Sequence, residues 1–377
     1  MDEVDELRVA LEGLGPEEHA FTHLDLSRRP TSSGRLTGWV ISAKDLHDVT
    51  GMPTTLGSVQ RVYTATTTDP FLASLEREGA LIVGKSATPE LGLTVDTEPV
   101  GLPHPVNPIH PGATPGGSSG GAAVQVARGL VRAAHASDGG GSIRVPAAAC
   151  GVVGFKPAGT DLGVQGFITR TVSDAAFLHG LPQRPEPARV GVLVDPLFAD
   201  APIAPVMRRA VLDAARVLEG AGFETVALSP YPGAADTFAA FRTLFTSGFA
   251  ELAPTSGYPE WVRRQGRAVK AGDLGRARAH AAALPELLAH QWQVDALLSP
   301  VLTTDPPPRG AFRKLSHPDN FNAQTRWSPW CSLFNVARLP ALSLPWQVAG
   351  GPPVGIHLGG ITLSDAALLT LARTLHP

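Results

Sequence analysis

Cysteine is scarce in this 377-residue chain: Cys150 and Cys331 are its two. That excludes a disulfide framework, and two thiols so far apart read as isolated buried side chains in a reducing compartment. Charge of one sign is also lacking. The 31 Lys and Arg against 34 Asp and Glu leave a net −3, which gives no reason to expect nucleic acid or an anionic membrane as partner. No apolar run approaches the ~18 residues of a membrane span, and Met1–Glu12 is acidic, without the basic start and apolar stretch of a secretory leader. The expectation is a soluble cytoplasmic protein. What the chain does have is 43% hydrophobic and 17% charged residues, enough to bury a large core and unlike a disordered composition.

The pattern alternates short apolar runs with amphipathic stretches. Val4, Leu7, Leu11 and Leu14 predict a helix over Glu3–Leu14. Trp39–Ala43 reads as a strand ending at Lys44, Pro70–Glu78 as a helix, and Ala80–Val83 as a buried strand closed by Gly84. A Pro- and Gly-rich loop from Val95 to Gly121 precedes a small-residue helix (Ala122–Leu130) and a strand (Val131–Ala136). Val190–Val194 reads as a strand, Pro205–Ala221 as a helix, and Ala234–Val294 as a mostly helical surface layer or substrate-facing cap. Strands over Ala341–Leu344 and Val354–Leu358 and a helix over Ser364–Leu375 close the chain. This is an α/β pattern without a separating linker, hence one domain over 1–377.

The informative stretch runs from Pro115 to Pro157, where two glycine-flanked serine sites are joined by a helix and a strand. Gly139, Gly140 and Gly141 lead into Ser142. Successive glycine amides can turn into one cavity and cradle an oxyanion beside a serine nucleophile. The hexapeptide Gly116–Gly121 taken alone reads as a flexible linker. A phosphate loop is excluded, since neither G-x-x-x-x-G-K-[ST] nor G-x-G-x-x-G occurs there. No G-x-S-x-G elbow is present at either site, and no histidine is tied to Ser142 by spacing. His135 reads as a core histidine and Cys150 as a packed thiol. Lys44, at the end of an apolar strand, is the other candidate base, because burial can lower a lysine pKa toward neutrality.

The combination resembles the amidase signature family. Gly116–Pro157 is similar to its two-serine loop, its D-x-G-G-S-I-R segment and its P-A-A-x-C-G-x-x-G-x-K-P tail. The likeness continues in Gly38–Ser58, Gly79–Lys85, Thr169–Ala176 and Asn335–Pro345. The resemblance implies a central mixed β-sheet covered by helices on both faces. The signature core would occupy 38–177, and 178–377 would shape the substrate pocket. It places the family's lysine on Lys44, its bridging serine, which follows a cis peptide bond, on Ser118, and its nucleophile on Ser142, with oxyanion amides over Gly139 to Ser142. The twenty-four-residue separation kept by the family selects Ser118 over Ser119. The implied reaction is hydrolysis of a small or aryl carboxamide through an acyl-enzyme, without metal or cofactor, in a monomer or a homodimer. Two other readings follow from the same likeness: a glutamine-hydrolysing amidotransferase subunit, and a binding protein that kept the fold. Asp138 and Arg144 are expected to brace the loop. Three departures from the family are Gly139, where relatives carry a larger residue, the short Ala158–Gln165 segment after Lys156-Pro157, and a compact region after Ala234 that leaves the chain shorter than most relatives.

Overall fold

A computed structural model describes residues 3–376. Its strands in chain order are β1 (Phe21–Leu24), β2 (Val40–Lys44), β3 (Pro53–Thr54), β4 (Tyr63–Thr64), β5 (Leu81–Ser86), β6 (Ala133–Asp138) and β7 (Val153–Lys156). They continue with β8 (Val164–Thr169), β9 (Arg189–Val192), β10 (Glu224–Ala227), β11 (Ala296–Pro300), β12 (Ala341–Trp346) and β13 (Val354–Gly360). Eleven of them form one sheet in the order β1-β5-β2-β6-β8-β7-β12-β13-β11-β9-β10, while β3 and β4 pair separately. The sheet is mixed. β2 runs parallel to β5 and β6, the strands from β6 through β11 pair antiparallel, and β11, β9 and β10 are parallel again.

Every residue of β2, β5 and β11 is buried, polar ones included, because helices cover both faces of the sheet. The period of two still sorts the side chains. Ile41 and Ile82 join Leu72 and Leu75 of helix Pro70–Arg77 on one face. Val40, Leu81 and Val83 join Leu7 and the Val124/Val126 pair of helix Gly120–Ala127 on the other. In the second half, Val190, Val192, Leu298 and Ile356 pack against helices Pro205–Gly220 and Asp365–Leu375.

Two expectations are adjusted. The first helix stops at Ala10, short of Leu14. β5 runs through Gly84 to Ser86 instead of closing there, because a Cβ at 84 would strike the backbone carbonyl of His23 in the neighbouring β1. The glycine admits a strand neighbour and does not end the strand. As expected, Ala234–Val294 is mostly helical, with helices Ala234–Ser247, Gly257–Ala268 and Ala271–Trp292. Among the described residues no helix is long and apolar enough to cross a membrane.

Candidate active site

β2 and β6 lie side by side and in parallel, so Lys44 and Asp138, at their carboxyl ends, meet at one edge of the sheet. Ligand sites of α/β sheets gather at such edges. The Lys44 ammonium is fully enclosed and donates to Ser118 Oγ at 2.8 Å, Ser137 Oγ at 3.1 Å and the Ser137 carbonyl at 3.2 Å. Burial pushes its pKa down to about 7, with the nearby Asp138 charge pulling the other way. A near-neutral lysine against a serine hydroxyl has the components of a general base.

Ser118 follows a cis Gly117–Ser118 bond. The linker reading of Gly116–Gly121 does not hold, since all six residues are buried. A Cβ at Gly117 would run into the Asp96 carbonyl and one at Gly121 into Ala87 backbone, so close backbone approach explains the glycines. Behind them the helix Gly120–Ala127 begins, two residues earlier than its apolar pattern suggests.

Ser142 is half-buried and lines the same cavity as Lys44 and Ser118. Its carbonyl accepts from the Ser119 amide at 3.2 Å, tying the two serine loops together. Of the three glycines before it, Gly141 is already committed: its N–H donates to Asp138 Oδ1 at 2.6 Å. The amides of Gly139, Gly140 and Ser142 have no protein acceptor among the described residues. The nest open to a ligand is therefore narrower than the glycine run suggests.

Asp138 is the hub that shapes this loop. It also accepts from the Ile143 amide at 3.0 Å, from Arg144 Nε and Nη2 at 2.9 Å each, and from Asn335 Nδ2 at 3.0 Å. Burial alone would raise its pKa, but the Arg144 guanidinium holds the carboxyl well below the usual range. Arg144 is itself saturated by Asn335 Oδ1, the Cys331 carbonyl and His357 Nε2. Arg144→Met is expected to strand a buried carboxylate and cost about 3–5 kcal/mol, read as a lower urea midpoint, with hydrolysis lost as the loop slackens.

The cavity measures about 600 Å³, within the usual span for small-molecule sites. One wall is aromatic: Phe238, Phe241 and Phe245 of helix Ala234–Ser247, then Phe249, with Phe321 facing them. Successive rings stand 6.0, 5.6 and 5.4 Å apart, and Phe321 lies 6.3 Å from Phe245. Phe241 abuts the Gly139–Ser142 loop, since a Cβ on Gly140 would come within 2.9 Å of its ring. The short segment after Pro157 supplies another wall through Asp161 to Gln165. His135 and Cys150 are buried as expected, with the thiol pushed upward by desolvation. Sequence reasoning did not single out Ser137, His47, Asp69, Gln165 or the phenylalanines. Of these only the phenylalanines carry a signal, their spacing of three, four and four placing them on one helical face.

Fold and site together define an α/β protein with a mixed central sheet and a buried lysine–serine pair at the floor of an aromatic-walled cavity. A family model described as Amidase matches residues 17–181 and 169–369, and the chain belongs to the amidase signature family. It is 32% identical to the putative amidase AmiB2 of Mycobacterium tuberculosis, over 90% of this chain and 81% of that protein. It is 34% identical to the indoleacetamide hydrolase of Pseudomonas syringae pv. syringae, over 55% of this chain and 50% of that one. Among solved structures, one described as an amidase superposes with TM-score 0.83 at 26% identity, covering 100% of this chain and 96% of that chain. A 6-aminohexanoate cyclic dimer hydrolase shares the fold, with TM-score 0.86 at 24% identity over 99% and 92% of the two chains.

Proposed function

We propose that this protein hydrolyses the C–N bond of a small aryl carboxamide through a serine acyl-enzyme, with Ser142 as nucleophile, Ser118 as proton shuttle and Lys44 as base. The observation that carries the reading is the enclosed Lys44 Nζ, 2.8 Å from Ser118 Oγ, with a pKa near 7. In this scheme neutral Lys44 takes a proton from Ser118, which takes one from Ser142 as its Oγ attacks the amide carbon. The free amides of the Gly139–Ser142 loop receive the developing oxyanion, each such donor being worth about 10²–10³ in rate. Ser118 then protonates the departing amine, and water repeats the sequence to free the acid. No metal or organic cofactor enters the scheme.

The aromatic wall supports an aryl acyl arm, since flat rings pack favourably against offset or edge-on rings. The Pseudomonas relative is named for hydrolysis of indoleacetamide, a carboxamide with such an arm. The same wall counts against glutamine, whose charged α-substituents would lie against it.

The test is a fluorophosphonate probe followed by peptide mapping. Modification is expected on the Ser142 peptide, absent in Ser142→Ala and slowed in Lys44→Met, together with turnover of arylacetamides in preference to glutamine. Modification at another serine, with Ser142 untouched, would sink the assignment.

A further inference from the structure

Beside the lysine–serine pair, a directed chain of hydrogen bonds ends on an imidazole in the cavity wall. It starts at the Lys44 backbone N–H, which donates to His135 Nδ1 at 3.2 Å. That fixes the His135 tautomer: buried and held neutral by desolvation, its ring keeps the remaining proton on Nε2. Nε2–H therefore donates to Gln165 Oε1 at 2.9 Å. The Gln165 amide is oriented in turn, with Nε2 donating to Asp69 Oδ1 at 3.2 Å. Asp69 also caps helix Pro70–Arg77 through the Phe71 amide at 3.0 Å. The bond from His47 leads the influences that keep its carboxyl well below the ordinary range, so it is an acceptor only. Its Oδ2 lies 3.1 Å from His47 Nδ1, and the proton of that bond must belong to the imidazole.

The consequence lies at the far nitrogen. With Nδ1 donating to Asp69, the His47 ring in its uncharged form carries a bare lone pair at Nε2, which has no hydrogen-bond partner among the described residues. The ring is 18% exposed, lines the cavity together with Lys44, Ser118 and Gln165, and is fixed edge-on against His135 with centroids 4.9 Å apart. Four separate elements thus hold one acceptor in place. An imidazole backed by a carboxylate is anionic as a pair. It repels a carboxylate and favours a hydrogen-bond donor.

We propose that His47 Nε2, oriented by Asp69, accepts a hydrogen bond from the N–H on the amine side of the substrate. The site would then select amides bearing at least one N–H over esters and N,N-disubstituted amides of the same acid. The inference rests on the amidase reading above, and it makes His47 a substrate-binding residue outside the Lys44–Ser118–Ser142 relay. A site built to receive an N–H discriminates against analogues lacking it, because its acceptor is then left unpaired.

The experiment compares phenylacetamide with methyl phenylacetate. In His47→Ala, kcat/KM for the amide is expected to fall about tenfold while the ester stays within about twofold. His47→Gln, whose side-chain oxygen can replace the acceptor, is expected to recover much of the amide rate, and Asp69→Asn, which keeps the helix cap, to weaken amide selectivity. Equal losses on both substrates, or an unchanged amide rate, would overturn the proposal. A second arm does not depend on turnover. Phenylacetamide binding to Ser142→Ala, measured calorimetrically, is expected to weaken about fivefold when His47→Ala is added, and unaltered binding counts against His47. Failure of the relay itself would show differently, as amide hydrolysis that survives Ser142→Ala.

Discussion

Ser142→Ala is expected to lower kcat/KM for an arylacetamide by roughly 10⁴–10⁶-fold while leaving the folded protein as stable as the parent. The first half follows from the role. An acyl transfer without its attacking oxygen retains only what positioning and the oxyanion amides contribute. The second half follows from the surroundings. Ser142 is half-buried, and its recorded tie to the Ser118 loop runs through its backbone carbonyl, so losing Oγ is expected to alter stability by less than about 0.5 kcal/mol. Ser118→Ala is expected to cost a comparable factor, and the double variant little more than either single one, because members of a relay fail as a unit. Rates from purified variants and a urea titration check both halves. A Ser142→Ala protein that keeps activity within tenfold would remove Ser142 as nucleophile.

Strand legibility followed unbroken apolar sequence and not burial, since β7 is buried throughout. β2, β5, β12 and β13 are short apolar runs between polar turns, and their positions are visible in the residues alone. β7 and β8 were not singled out, although they occupy the middle of the sheet. Both are four to six residues long and interrupted by Gly154 and Gly166, which pack against Ala147 and the Phe155 carbonyl where any side chain would collide. A glycine in such a strand looks like a turn until its neighbour is known. Helix Arg144–Cys150 was hidden for a related reason, because Pro146 sits in its first turn, where no backbone donor is needed.

Within the site, local spacing made the glycine run before Ser142 and Asp138 four residues upstream legible, whereas Lys44 and Ser118, far off in sequence, were tied to Ser142 only through the family resemblance. What could not be read depends on strand register. Ser137 reaches Lys44 because β6 lies beside β2, and Gln165 reaches His135 because β8 runs antiparallel to β6 with Ser137 opposite Gln165. His47 sits three residues past Lys44, but the carboxylate that sets its tautomer comes from Asp69, twenty-two residues on, at the cap of a helix. A lone histidine in a loop gives no sign of such a partner.

The largest change in pH behaviour is expected at Lys44. With its pKa near 7, the amine is protonated and unable to accept a proton at pH 5, and largely free at pH 9. Amide kcat/KM is therefore expected to rise with pH through about 7 and to level above it. Lys44→Met is expected to abolish that limb and to reduce the rate by about 10³-fold or more. Another lysine shares the same range: Lys156 is also pushed to about 7 by burial, but it donates to the Pro157 and Leu339 carbonyls and does not line the cavity. The limb is therefore expected to persist in Lys156→Met, a control that separates the two. Stability moves in the same direction as activity. Between pH 7 and pH 10.5 the unfolded chain carries a proton on Lys44 that the folded one does not. Stability thus increases with pH across that window, and burial of the lysine is most costly below it. Removing the amine lifts that penalty, so Lys44→Met is expected to unfold at higher urea than the parent at pH 7, and the difference should shrink toward pH 10. A residue whose loss stabilises the fold while removing activity is retained for chemistry, whereas a Lys44→Met protein that was both less stable and still active would make the lysine structural.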